Sequence, residues 1–348
     1  MFAKDENLYR IAKKVLKRYD RYSASRCPEY LNIEDDVLEI GEKAFQGAGG
    51  LRHLTIPEGV EKIGAFAFEY CDQLATVILP STLKSIDAYA FQGCRNLANI
   101  ELPDGLEKIA IGAFGGCHRF RMKTVPSKLR SVGVDAFRGT PWYEDSGEEM
   151  FCINDILYAY KGRSTKAIVS DNIWRINGSA FNKSNVEEVN LSEGLLEIGH
   201  DAFSDNRNLR RITIPYTVTE LGARAFSGCY SLSEVEFLGP LDCIYKHTFK
   251  NCDNLTKVAF DGPVKCIDDE AFRGCKNLSV FRLPEGSEEI GRVAFWECPN
   301  LNEVHLPASI SNIALNAFNS SDNLIIYAPR GSYAEEFAEN NRYSFIEE

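Results

Sequence analysis

The chain has 348 residues with 39 Lys+Arg against 50 Asp+Glu, a formal net charge of −11. At 44% hydrophobic and 26% charged it carries enough apolar side chains for a folded core, which excludes a disordered or collagen-like chain. The acidic balance argues against generic binding to nucleic acid or anionic membrane, both of which would repel it. No apolar run reaches the roughly 18–20 residues of a membrane span.

Met1-Phe2-Ala3-Lys4-Asp5-Glu6 has no apolar h-region, so no secretory signal is read there. In residues 1–32, Leu8, Ile11, Ala12, Val15, Leu16 and Tyr19 fall at helical spacing and predict an amphipathic helix. Its basic charge would also suit a membrane surface. Its apolar stripe is nevertheless the part of the N-terminus able to cover the open end of a stack of repeats, so a cap is expected.

Residues 33–139 repeat. Phe45, Phe68, Phe91, Phe114 and Phe137 recur every 23 residues, and a second block over 171–326 continues with Phe181, Phe203, Phe226, Phe249, Phe272, Phe295 and Phe318. A branched aliphatic stands five residues before each Phe, from Ile40 to Ile313. The unit reads I-G-x-x-A-F-x-G-C-x-x-L-x-x-I-x-L-P-x-x-L-x-x. Leu74, Val77 and Leu79 predict a short strand with inward apolar side chains, ended by Pro80, which cannot donate to a ladder. Leu83 and Ile86 predict a second extended piece, and A-F-x-G-C one helical or 3₁₀ turn. A single copy cannot bury its apolar face, but stacked copies can. About twelve coils with parallel strands are therefore expected.

Residues 140–170 interrupt the period with Thr140-Pro141-Trp142-Tyr143, an acidic loop, and a predicted β-hairpin turning at Asn154-Asp155. Because the apolar columns continue on both sides, this reads as a seam and not as a domain boundary. In the second block, Phe237-Leu238-Gly239-Pro240 and Phe260-Asp261-Gly262-Pro263 shift the Pro by two places. Residues 327–348 predict a closing cap with a helix from Tyr333, N-capped by Ser332.

Copies such as Ile63-Gly64 to Pro80, Ile86 to Pro103 and Ile290-Gly291 to Pro307 resemble the BspA-type leucine-rich repeat family. Ile156 to Gly162 is similar to the strand at which such arrays restart, and Ser332 to Ala338 to their closing helix. The resemblance implies an α/β repeat solenoid, right-handed and curved, with a parallel sheet on one face and helical caps at both ends. It also implies a bacterial or microbial-eukaryote surface or secreted protein that binds other proteins or host surfaces. Without a signal in this chain, a cytoplasmic scaffold is the alternative.

Seven Cys stand three residues after a repeat Phe, at positions 71, 94, 117, 229, 252, 275 and 298, and Ala48, Thr140, Ser184, Asn206 and Ser321 take that column elsewhere. Small buried thiols that donate weakly to backbone fit this interchange. No C-x-x-C or H-E-x-x-H spacing occurs, so no metal or cofactor is expected. Cys243 and Cys266 precede the aliphatic column in the two shifted repeats and are expected side by side and outward, where a disulfide is one of two readings. The five His read as surface residues. A right-handed β-helix carbohydrate-active enzyme has coils of similar period, but the columns show no converging carboxylates for it. The outward strand positions are the expected surface for a protein partner, with Glu101, Arg211, Glu236, Arg282 and His305 as candidates. They read as mixed, without a charge ladder. The aromatic seam offers Trp142 and Tyr158 as a second candidate patch.

Overall fold

The computed structural model describes residues 9–12, 15–19, 28–318 and 323–348. Leu8 of the expected stripe and Ser321 of the Cys column lie outside them. The chain forms two compact units, residues 1–148 and 149–348, dividing inside the expected seam.

In the first unit two rows of parallel strands run side by side. One joins Val15–Tyr19, Glu39–Ile40, Lys62–Ile63, Ser85–Ile86, Lys108–Ile109 and Ser131–Val132; the other joins Tyr30–Asn32, His53–Thr55, Thr76–Ile78 and Asn99–Ile100. The expected N-terminal helix is instead a pair of antiparallel strands, Tyr9–Ala12 and Val15–Tyr19. Leu16 pairs with Ile40 in the ladder and is fully buried. The edge of the Glu39–Ile40 strand can be satisfied only by another extended backbone, which overrides the helical spacing of the apolar residues.

The second unit opens with the expected hairpin, Met150–Ile153 against Ile156–Tyr160. Leu157 then pairs with Ile176, and the first row runs on through Glu197–Ile198 and Glu220–Leu221. The row restarts at Leu241–Ile244 and continues through Val264–Ile267, Glu289–Ile290 and Asn312–Ile313. Its second row joins Lys166–Ile168, Glu188–Asn190, Arg211–Ile214, Glu234–Phe237 and Lys257–Phe260, then Val280–Arg282, Glu303–His305, Ile325–Ala328 and Ser344–Glu347. With Leu16 and Leu157 each adding a turn to the twelve marked by Phe, the two units contain about fourteen turns, more than the Phe count alone suggests.

The expected helical turn around each Phe does not form. Residues two before and two after the Phe are left-handed, as in Phe66 (φ +57°) and Tyr70 (φ +57°) around Phe68, or Asp201 (φ +55°) and Asp205 (φ +57°) around Phe203. The alternation stops helical winding and aims every second N–H at the next coil. Lys43, Phe45 and Gly47 thus donate to the carbonyls of Ala65, Ala67 and Glu69 at 2.9, 2.7 and 2.8 Å. Each coil is therefore bonded to the next at two strand rows and at the turn. Strand and turn dominate, so the fold is a parallel β-solenoid and not an α/β repeat. The helices among the described residues are Pro141–Glu144 and Tyr333–Asn341. The second is N-capped by Ser332, whose hydroxyl accepts from the Glu335 N–H, and it buries Ala334, Phe337 and Ala338.

The repeat Phe stack face to face inside each unit. Phe45, Phe68, Phe91, Phe114 and Phe137 lie 5.1–5.6 Å apart ring to ring. In the second unit Tyr160 takes the Phe position of the first turn, 5.0 Å from Phe181, and the column continues to Phe318. The glycine after the aliphatic column lets coils approach closely. A Cβ on Gly133 would stand 2.1 Å from the Ile111 nitrogen, so any side chain there would push the coils apart.

All seven column cysteines are fully buried thiols. Each donates to the carbonyl of the repeat Phe 26 residues back, from Cys71 on Phe45 at 3.1 Å to Cys298 on Phe272 at 3.2 Å. Burial pushes the Cys117 and Cys298 thiols up to about 12. Since only the thiolate reacts, a soluble disulfide reagent is expected to leave the column untouched in the native chain and to label it fully in denaturant. Rapid native labelling of Cys94 or Cys252 would contradict this packing.

Candidate interaction surface

Alternation along the strands sends every second side chain outward. The seven candidate residues divide between the two units, Glu101 and Trp142 in the first and the other five in the second. Glu101 lies in the first unit, exposed and paired with Lys123 at 2.5 Å. Trp142 sits in the short Pro141–Glu144 helix with its ring edge-on to Phe137 at 4.8 Å, at the end of the Phe stack. Tyr158 is 5% exposed and packs edge-on to Phe151 at 6.0 Å. Trp142 is half-buried against the end of the Phe stack of its unit, whereas Tyr158 is buried within its own.

Arg211 and Glu236 belong to one region of the second unit. Arg211 is in register with Glu188 on one side and Glu234 on the other, and Thr213 Oγ1 donates to Glu236 Oε2 at 3.3 Å. Along the row this register gives Lys166, Glu188, Arg211, Glu234 and Lys257, one per turn. The signs alternate throughout. Lys166 meets Glu188 at 2.8 Å and Lys257 hydrogen-bonds Glu234. Hydrogen bonds from these lysines hold both carboxyls below the ordinary range. The row is a charge ladder after all, with its two lysine–glutamate pairs closed within the chain, and Lys166 is the member that the repeat columns did not reveal. Beside it lies a shallow groove of about 360 Å³, lined by Asn190, Leu191, Thr213, Pro215 and Leu238 among others.

Arg282 and His305 are in register with each other, further along the second unit. His305 is not a surface residue: it is 8% exposed, stacked on Tyr327 with ring centroids 4.3 Å apart. Its Nδ1 meets the Glu348 carboxylate, which Arg282 also reaches at 3.4 Å. Nothing in the repeat period points to Glu348, because its place depends on the final strand pairing with Ile325–Ala328.

Two further clusters lie off this face. Cys243 and Cys266, in-register partners with Cα atoms 4.6 Å apart, form a disulfide. Cys243 is 7% exposed, so the pair is less outward than expected. At the turn, Glu270 is met by His247 at 3.0 Å, Lys250 at 3.3 Å and Arg273 at 3.0 Å. Burial would raise its carboxyl, but hydrogen bonds from Arg273, His247 and Lys250 outweigh this and hold it at about 2. A depressed carboxyl stabilises above its unfolded value and loses that contribution as pH falls toward the folded one. Glu270→Gln is therefore expected to cost about 1–2 kcal/mol at pH 7 and progressively less from pH 5 to pH 2. Urea unfolding of both proteins across that range checks it, and a pH-independent difference would contradict the pairing.

Among the described residues no group of three or more His, Cys, Asp or Glu is placed to hold a metal ion, and no helix is long and apolar enough to cross a membrane. The BspA type leucine-rich repeat region matches in six copies over residues 20–142, 152–265 and 242–332. A leucine-rich repeat protein of Bacteroides ovatus is 27% identical over 99% of both chains, with a TM-score of 0.47. One from Eubacterium ventriosum is 21% identical over 88% of both chains, and its TM-score of 0.55 supports the same fold. The pneumococcal vaccine antigen PcpA is 16% identical over 97% of this chain and 95% of its own, with a TM-score of 0.42. No curated protein matches the chain. With the repeat match spanning most of both units, and the Phe stacks and strand rows that the repeat encodes, the chain belongs to the BspA-type leucine-rich repeat family.

Proposed function

We propose that the chain is a non-enzymatic protein-binding module of the adhesion type, which engages its partner through the outward strand positions. One observation carries this reading: over five successive turns of the second unit, outward side chains from Lys166 to Lys257 are held in register beside an open groove, while the apolar positions are consumed by the core. Such a surface offers area and shape over several coils. Both glutamates of its ladder are already paired with lysines, so affinity would come from fit more than from net charge.

An exported location accompanies this reading. The Cys243–Cys266 disulfide supports an oxidising compartment, and an intracellular scaffold would keep both thiols reduced. The binding test is an alanine scan of Glu101, Arg211, Glu236, Arg282 and His305 against a protein partner identified by cross-linking. Moderate losses at several of the second-unit positions are expected, with large ones only at a central anchor. Full binding by a folded variant lacking all five side chains would overturn the assignment.

A further inference from the structure

We infer that Arg282 and His305 form a carboxylate-binding site on the strand face, which the chain's own Glu348 fills as an internal stand-in for an acidic side chain of a partner. The inference rests on the strand-face reading above and names the partner chemistry at one end of that face.

Three features make this a built site. Arg282, His305 and Tyr327 are successive in-register residues of neighbouring strands, so their outward side chains form one short row. His305 is held in place: it is almost buried, stacked on Tyr327 at 4.3 Å, with Glu303 3.6 Å from its Nε2. That leaves Nδ1 as the atom presented to a ligand, and the Glu348 carboxylate meets it while receiving Arg282 Nη1 at 3.4 Å on its other oxygen. One carboxylate thus takes donors from two strands, the arrangement that recognises a carboxylate by both charge and geometry.

The occupant is easily exchanged. The side chains of Glu348 and Arg282 are 52% and 59% exposed, so the site opens to solvent. The Arg282–Glu348 pair is exposed enough to contribute little net stability, which leaves the contact with the nearly buried His305 as the one that a competing carboxylate must replace. A carboxylate brought by a partner with contacts elsewhere on the face would displace Glu348 and inherit an oriented imidazole. Glu348 would then act as a weak internal competitor, setting a threshold against poorly matched acidic ligands.

The test uses the full chain with ¹³C/¹⁵N-labelled His and Arg side chains, and a blocked Gly-Glu-Gly-Glu-Gly peptide as the probe. Its Gln counterpart is the control. The Glu peptide is expected to shift the His305 and Arg282 resonances, with Glu348→Gln binding it about two- to fivefold tighter, the range an exposed competing ion pair allows. Arg282→Gln and His305→Gln should each abolish those shifts in chains whose circular dichroism is unchanged. No shift in Glu348→Gln, equal response to the Gln peptide, or undiminished binding by Arg282→Gln would overturn the site. The two readings fail separately: a cross-linked protein partner retained by Arg282→Gln and His305→Gln sinks this site alone, and peptide binding here without any strand-face protein contact sinks the broader reading alone.

Discussion

Replacing Phe226 by Ala is expected to lower the stability of the second unit by about 3–5 kcal/mol. The ring is fully buried and stacked between Phe203 at 5.2 Å and Phe249 at 5.4 Å, both also buried. Truncation removes the transfer energy of the ring, leaves a cavity in the column, and strips one face from each neighbour. Because each turn is stabilised mainly by the next, the loss should spread along the array. With a urea dependence of about 2 kcal/mol per molar, the unfolding midpoint should fall by roughly 1.5–2.5 M. Hydrogen exchange should show the largest loss of protection around residues 203–249. An unchanged midpoint would mean that the column is not the core.

Removing the disulfide is the second large effect. Cys243→Ser with Cys266→Ser is expected to cost about 2–4 kcal/mol, since the bond closes a loop of one whole turn in the unfolded chain. The first strand row of the second unit is interrupted between Glu220–Leu221 and Leu241–Ile244, and the disulfide joins the first two strands after the break. Across that break the turns stay bonded, with Phe226 N–H donating to the Thr248 carbonyl and Gly228 N–H to that of Lys250, so the disulfide adds to an array that is already continuous there. Dithiothreitol should lower the unfolding midpoint of the natural chain and leave that of the double variant unchanged. The column cysteines supply an internal control, because as thiols they are indifferent to reductant. Equal midpoints for the natural chain with and without reductant would show that the pair contributes nothing.

The face and the core differ in how their chemistry could be read. Inward positions repeat, so one apolar residue recurring at a 23-residue period names its own neighbours: Phe203 must meet Phe226, and Ile63 must meet Ile86. Outward positions vary from turn to turn. The Lys166-to-Lys257 ladder was present in the letters, but it starts inside the aperiodic seam. Only the pairing of Lys166 with Glu188 brings that lysine into register.

By itself the sequence determined the repeat, the two strands per turn, the buried Phe and Cys columns, the hairpin at Asn154 and the helix after Ser332. Each of these rests on local chemistry or on a period, and periods survive without knowledge of the fold. Tertiary structure decided the rest. Left-handed residues flank the repeat Phe from Phe45 to Phe295; the trailing position is announced by the repeat glycine at Gly47, Gly93, Gly116, Gly139, Gly228 and Gly274, whereas the leading one holds side chains as different as Lys43, Tyr89 and Val293, so no residue preference announces it. They are held by hydrogen bonds from one coil to the next, which exist only after stacking. The N-terminus is a strand because the edge of the Glu39–Ile40 strand needs an extended partner, although its apolar spacing fits a helix equally well. The period already set Cys243 beside Cys266, but only the structure showed that they bond, and Glu348 reaches His305 because the last strand adds to the second row. The left-handed turns and the N-terminal strand are decided by backbone groups that every residue shares, and Glu348 by a strand that lies outside the period.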